Sequence, residues 1–361
     1  MPKTGSTSIQ ETFYYQLQDP GFIYCGFGEI NGSYALSALV GQATYFVAIR
    51  QLAGGRLSTI YRERVHRRFR RCLAQARSRN AALILSAEFA YGWSREQHLN
   101  WRQFAQEHGL DLRIVVYLRS PIDWLASALS QGLKYGRHTT HDGLIDTFLR
   151  RIPERQLDYA ARIDMLAEVY GPEALVIRPF LRNQLQEGCV VRDFCRVVGL
   201  QQAPATIHRQ NDSLSLEACQ CLHLRNLALG RPLRGPLDLL RRDVLLLHLG
   251  RIFQGRPSLR LQPAVLGERL EKMRQRLNAL EQRHGIALPL TTGAAGDGLA
   301  SLDPLLNLPA AALEQLVVAS DGRDTSEQAL ARLERGLAVA PTVHVARRYL
   351  RRKMRHIRSG C

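Results

Sequence analysis

The feature that most constrains this chain is the run Leu112-Arg113-Ile114-Val115-Val116-Tyr117-Leu118, which leads straight into Arg119-Ser120-Pro121 and a helical pattern over about 122–133. A short β-branched run bounded in this way predicts a buried strand. Pro121 then sits in the first turn of the following helix, where its missing N–H costs nothing. Three further short apolar runs, Phe22-Ile23-Tyr24, Ala81 to Leu85 and Leu175-Val176-Ile177, read as strands. Helical patterns cover about 33–52, 58–79, 96–108 and 156–170, with Gly54-Gly55 expected to break the chain between the first two. Strands alternating with helices of this length predict an α/β fold with a parallel sheet. Beyond about residue 200 helical patterns dominate, punctuated by Gly230-Arg231-Pro232, Gly235-Pro236, Gly255-Arg256-Pro257 and a loop over 291–298. The expected organisation is therefore an α/β domain over 1–228 and a mainly helical region over 229–361, ending in a basic helix near 345–358.

The chain has 361 residues, 45% of them apolar, which supplies a real core and excludes wholesale disorder. No apolar stretch approaches the length that spans a bilayer. The opening residues carry no apolar run, so no signal peptide is expected. The seven cysteines are odd in number and form no CxxC pair, so they read as reduced thiols of a cytoplasmic protein. The formal charge of +17 comes almost entirely from arginine, the lysines being Lys3, Lys134, Lys272 and Lys353. It favours anionic ligands without choosing among them. The basic tail reads as a solvated face or as a peripheral contact with an acidic membrane surface.

Two segments carry chemistry. Pro2-Lys3-Thr4-Gly5-Ser6-Thr7-Ser8 places a lysine, a glycine and hydroxyl residues at the start of a helix patterned by Ile9, Phe13 and Leu17. The free N–H groups of a helix start point at whatever lies before it, so this is a phosphate cradle. It lacks the Walker order, since Lys precedes Gly. The second segment is Arg119-Ser120-Pro121 with Ser127. A strand delivers Arg119 at its carboxyl end, where parallel sheets bind ligands, and Ser127 lies eight positions on in the following helix. Arg and Ser together can hold a second phosphate.

Taken together, "PKTGSTSIQ" and "RSPIDWLASAL" resemble the PAPS-dependent sulfotransferase superfamily, in its bacterial and carbohydrate-type branch. The typical elements of that superfamily read PKxGTTxLQ and RxPxxxxxSxx. "LVIRPFLRNQLQEGCVVRDFCRVVGL" and "RQNDSLSLEA" are similar to later segments of such enzymes, so the resemblance covers roughly residues 1–225. It implies a P-loop NTPase-like three-layer α/β/α fold with a central parallel sheet, and transfer of a sulfuryl group from PAPS to a hydroxyl or amine, with a glycan as one acceptor class. Lys3 would hold the 5′-phosphosulfate and neutralise the leaving group. Thr4, Gly5, Ser6, Thr7 and Ser8 would line the 5′-phosphate, and Arg119 with Ser127 would hold the 3′-phosphate. No metal is called for, and no metal-ligand cluster is visible. The fold also places a central strand before Pro2, whereas only Met1 stands there. The expected sheet is thus short of that strand, as if the start had been assigned downstream of the true one, and the chain as written is expected to be poorly stable and weakly active.

The acceptor must lose a proton. Glu88, just past "ALILS" with Ala87 between, is the first candidate base, with a helix cap or an arginine partner as its other reading. Glu29 is the second, since Gly32 stands where many bacterial relatives carry a histidine. His138 and His141 read as substrate-loop or surface residues. Two other classes compete: a P-loop kinase-like phosphotransferase, which the Lys-before-Gly order disfavours, and a nucleic-acid or polyanion-binding protein, for which no reading motif is visible.

Overall fold

The computed structural model describes residues 1–40, 46–138, 144–152, 156–208, 213–229, 233, 235–294 and 296–307. The chain forms two compact units, each discontinuous in sequence: Met1–Ser120, Glu154–Asn211 and Gln275–Leu288 in the first, and Pro121–Pro153, Asp212–Arg274 and Pro289–Cys361 in the second. The boundary expected at 228/229 falls inside the second unit. Contacts there join the helix after Arg119 to the late helices, which a linear reading of patterns does not register. His141 and the basic tail lie outside the described residues.

Among the described residues the strands all lie in the first unit: β1 (Phe22–Tyr24), β2 (Ala82–Ile84), β3 (Ile114–Leu118) and β4 (Leu175–Pro179). β1 pairs with β2 in parallel, Ile23 opposite Leu83. β3 pairs with β4 in parallel, Val116 opposite Ile177. The α/β class and the parallel pairing therefore stand. In place of one continuous sheet there are two separate pairs, so among the described residues each strand has a strand neighbour on one side only.

Helix α1 (Ser6–Gln16) buries Ile9 and Phe13, one turn apart, against α8 (Val190–Val198) and Tyr117 of β3. α2 spans Ser33–Leu39 and α3 spans Phe46–Arg79. The expected break at Gly54-Gly55 is absent, because a helical glycine costs only about 1 kcal/mol and a 34-residue helix absorbs that. Val65, Phe69, Leu73 and Ala76 form the buried stripe of α3, while Arg62, Arg67, Arg70, Arg71, Arg77 and Arg79 are exposed. α4 (Arg95–Glu107) opens with a capping box between Ser94 and Gln97. α7 (Tyr159–Tyr170) is capped by Asp158, which accepts from the Ala161 N–H.

The described residues of the second unit form the helices α5 (Pro121–Lys134), α6 (Leu144–Arg150), α9 (Leu216–Leu229), α10 (Gly235–Ile252) and the start of α11 (Arg269–His284). Leu125, Leu129, Leu133 and Leu222 are fully buried in it. Asn226 ties α9 to α5 by donating to the Leu133 carbonyl at 2.9 Å. No helix among the described residues is long and apolar enough to cross a membrane. The described cysteines are all free thiols.

Two kinds of buried ionisable group set the pH response. Asp193 is fully buried and joins β3, β4 and α8. It accepts from Tyr117 Oη at 2.8 Å, from Arg178 at 2.7 and 3.2 Å, and from the Gln186 N–H. Burial pushes its carboxyl up, but these donors outweigh burial and hold it below the usual range. His98, against the Tyr170 hydroxyl, and His138, edge-on to Phe148, are both lowered to about 4 by burial, reinforced by Arg162 in one case and by Arg151 and Arg137 in the other.

The signs follow. A neutral buried histidine binds its proton more readily once unfolded, so stability declines as pH falls from about 6.5 to 4, by on the order of 2–3 kcal/mol per residue. Asp193 contributes above the unfolded carboxylate pKa, and that contribution is lost as pH falls through its lowered folded value. Urea unfolding at pH 7, 5 and 4 is expected to show this decline. His98→Gln and His138→Gln should flatten it, while Asp193→Ala should cost roughly 3 kcal/mol at pH 7.

Candidate anion site

The site is built at the carboxyl ends of β2 and β3. Residues 2–5 form a tight loop with two left-handed residues, Lys3 at φ 67 and Gly5 at φ 76. Gly5 is the N-cap of α1 and provides no side-chain cap, so the first N–H groups of α1 are not closed off by their own cap residue. Glycine is required at position 5 on two counts. Its φ is costly for a residue with a Cβ, and a Cβ there would lie 2.7 Å from Val190 Cγ1.

Both strand pairs reach this loop. From β2, Glu88 accepts from Ser6 Oγ at 2.7 Å and Ser86 accepts from Gln10 Nε2 at 3.1 Å. From β3, Arg119 Nη1 donates to the Lys3 carbonyl at 2.8 Å. The Arg119 guanidinium lies over the Phe180 ring at 5.8 Å, and its carbonyl accepts from Tyr159 Oη at 2.7 Å. Thr4 is buried and donates to the Met1 carbonyl at 2.6 Å. A cavity of about 780 Å³ opens beneath the loop, lined by β2 and β3 and by Met1, Thr4, Ser6 and Glu88 where these strands end.

The expected residues thus divide. Lys3, Thr4, Gly5, Ser6, Glu88 and Arg119 converge. Thr7 is half-buried and Ser8 buried in the first turn of the same helix. The Thr4 and Ser6 hydroxyls donate within the protein, so toward an anion this loop offers mainly backbone N–H groups and cationic side chains. Ser127 is a half-buried residue of α5 in the second unit. Glu29 does not join the group: its carboxylate accepts from Tyr61 Oη on α3 at 3.0 Å. Burial raises its pKa, opposed by Tyr61, Arg64 and Arg68. His138 packs in the second unit and is neither a surface residue nor part of this site. Sequence reasoning missed Tyr159 and Phe180, which position Arg119. Both are distant in sequence and ordinary in type, so no local signal marks them. Among the described residues no group of three His, Cys, Asp or Glu side chains is placed to hold a metal.

Comparison with protein-family models, with curated proteins and with solved structures gives no match.

Gly5→Ala and Gly199→Ala separate the two costs at position 5. Gly199, at φ 82, has open space where a Cβ would sit. Gly199→Ala is expected to cost about 1 kcal/mol. Gly5→Ala should cost roughly 1–3 kcal/mol more, because Val190 must move. Chemical denaturation of the two variants measures the difference.

Proposed function

We propose that this chain is a sulfotransferase that moves a sulfuryl group from PAPS to a hydroxyl, or an amine, of an acceptor such as a carbohydrate. The observation that carries the reading is the meeting of two anion-binding segments 116 positions apart, in which the Arg119 guanidinium bonds the carbonyl of Lys3. Placed together, a lysine, an arginine and the open end of α1 suit a donor that carries negative charge at both ends. The fold this reading calls for is a three-layer P-loop-like domain, to which the two parallel strand pairs would contribute.

In this mechanism the acceptor oxygen forms a bond to sulfur while the bond from sulfur to the phosphate oxygen breaks in line. Lys3 and the N–H groups of α1 meet the charge that appears on the leaving phosphate. Glu88 takes the acceptor proton, held in place by Ser6. Arg119 fixes the 3′-phosphate. Phe180 lies against the Arg119 guanidinium, and Tyr159 holds the Arg119 backbone through its carbonyl. Much of the gain comes from orientation, since the reacting groups need only be held at attack distance.

The test is thermal shift with PAP, ATP–Mg²⁺ and heparin side by side, followed by transfer of labelled sulfate from PAPS over an acceptor panel. PAP alone is expected to stabilise. Stabilisation by heparin only, lost at modest salt, would instead favour a polyanion-binding protein. Arg119→Ala should weaken PAP binding about ten- to hundredfold. Lys3→Ala should lower turnover by about two to three orders of magnitude, and Glu88→Gln by about two. Unchanged turnover in Lys3→Ala and Arg119→Ala would remove both residues from the mechanism.

A further inference from the structure

One face of α3 is fastened to the loop that leaves β1. Tyr61, Arg68 and Cys72 stand two turns and then one turn apart, so they share that face. The loop runs along it in the opposite sense. Tyr61 Oη donates to the Glu29 carboxylate at 3.0 Å. The Arg68 guanidinium lies against Gly28, where a Cβ would sit. Cys25 comes next in this register, and its thiol donates a hydrogen bond to the Cys72 sulfur.

The two thiols differ in access and in charge. Cys25 stands directly after β1, is buried, and has its backbone fixed by its own N–H on the Ile84 carbonyl at 2.9 Å. Cys72 is half-buried, so a small solute reaches it first. The hydrogen bond from Cys25 and the nearby Arg68 guanidinium both favour the Cys72 thiolate. Together they hold its pKa below the ordinary thiol value, against the effect of burial. That hydrogen bond and burial push Cys25 the other way, so it keeps its proton. Burial also drives Cys195 up to about 11, and Cys219 and Cys221 up to about 12. The thiolate is the nucleophile, and oxidant-reactive cysteines pair a reachable thiolate with a second thiol that resolves the product.

We propose that Cys72 and Cys25 form an oxidation site, at which hydrogen peroxide converts the pair into a disulfide that staples α3 to the end of β1. The Cys72 thiolate attacks one peroxide oxygen and the O–O bond breaks. The hydroxide that leaves takes a proton from solvent and becomes water, and Cys72 is then a sulfenic acid. The Cys25 sulfur attacks the Cys72 sulfur, the S–S bond forms and the S–O bond breaks. The departing hydroxyl carries off the Cys25 proton as a second water. The two cysteines together lose two electrons, and one peroxide is reduced to two waters. The bond closes a ring over residues 25–72, and a cross-link of that span stabilises mainly by restricting the unfolded chain. Reduction by a dithiol restores both thiols.

The test treats the full, reduced chain with hydrogen peroxide, blocks the remaining thiols and maps the digest by mass spectrometry without reduction. A peptide pair joined through Cys25 and Cys72 is expected, and dithiothreitol should separate it. Thermal unfolding of the oxidised chain should lie several degrees above that of the reduced chain. In Cys25→Ser, Cys72 should stop at the sulfenic acid and take up dimedone ahead of Cys221. Arg68→Met should slow disulfide formation several-fold. The unsubstituted chain decides the matter whatever the variants do to folding. Absence of the Cys25–Cys72 pair after peroxide, or a link through another cysteine in its place, would overturn the proposal. So would disulfide-linked dimers on a non-reducing gel in place of the internal bond.

Discussion

The structure of the first unit depends on how one short loop is satisfied. Residues 2–5 turn twice through left-handed backbone, at Lys3 and Gly5. This leaves the Lys3 carbonyl needing a donor in a half-buried place. Arg119 supplies it from the end of β3, and Ser6 and Gln10 fasten the other side of the loop to the segment after β2. A buried carbonyl without a partner costs on the order of 1–3 kcal/mol, so the contact that orders the loop also fixes Arg119. Organisation of the site and stability of the domain are therefore one problem here.

Arginine does much of this work. Arg119 bonds the Lys3 carbonyl, Arg162 the Trp93 carbonyl, Arg102 the Val169 carbonyl, and Arg178 both oxygens of Asp193. A planar guanidinium reaches several acceptors at once and sheds water more readily than an ammonium. Part of the basic excess is thus structural, which is why net charge alone is a poor guide to a partner.

What could be read from the sequence was local. All four strands were visible as short apolar runs, and the turn from β3 through Arg119 to Pro121 was visible because proline marks a first turn. Glu88 was placed at a strand end by its position after "ALILS". What escaped depends on distance along the chain. Asp193 looks like any surface acid of α8 until Tyr117 and Arg178 close on it. Glu29 looks available until Tyr61 takes its carboxylate. Gly54-Gly55 looks like a break because local propensity is legible, while the length of the helix that absorbs the cost is not. The two interleaved units escaped for the same reason.

Helix α3 has a consequence of its own. Its 34 residues extend about 51 Å, and in its second half Arg70 and Arg71 both lie about one turn beyond Arg67 on the solvent side. Like charges so placed repel, each pair weakening the helix by a few tenths of a kcal/mol. Dissolved ions screen that repulsion over about 8–10 Å at physiological strength. This helix is therefore strained by its own electrostatic field in dilute buffer and relaxes as ionic strength rises, the reverse of a helix laced with opposite charges.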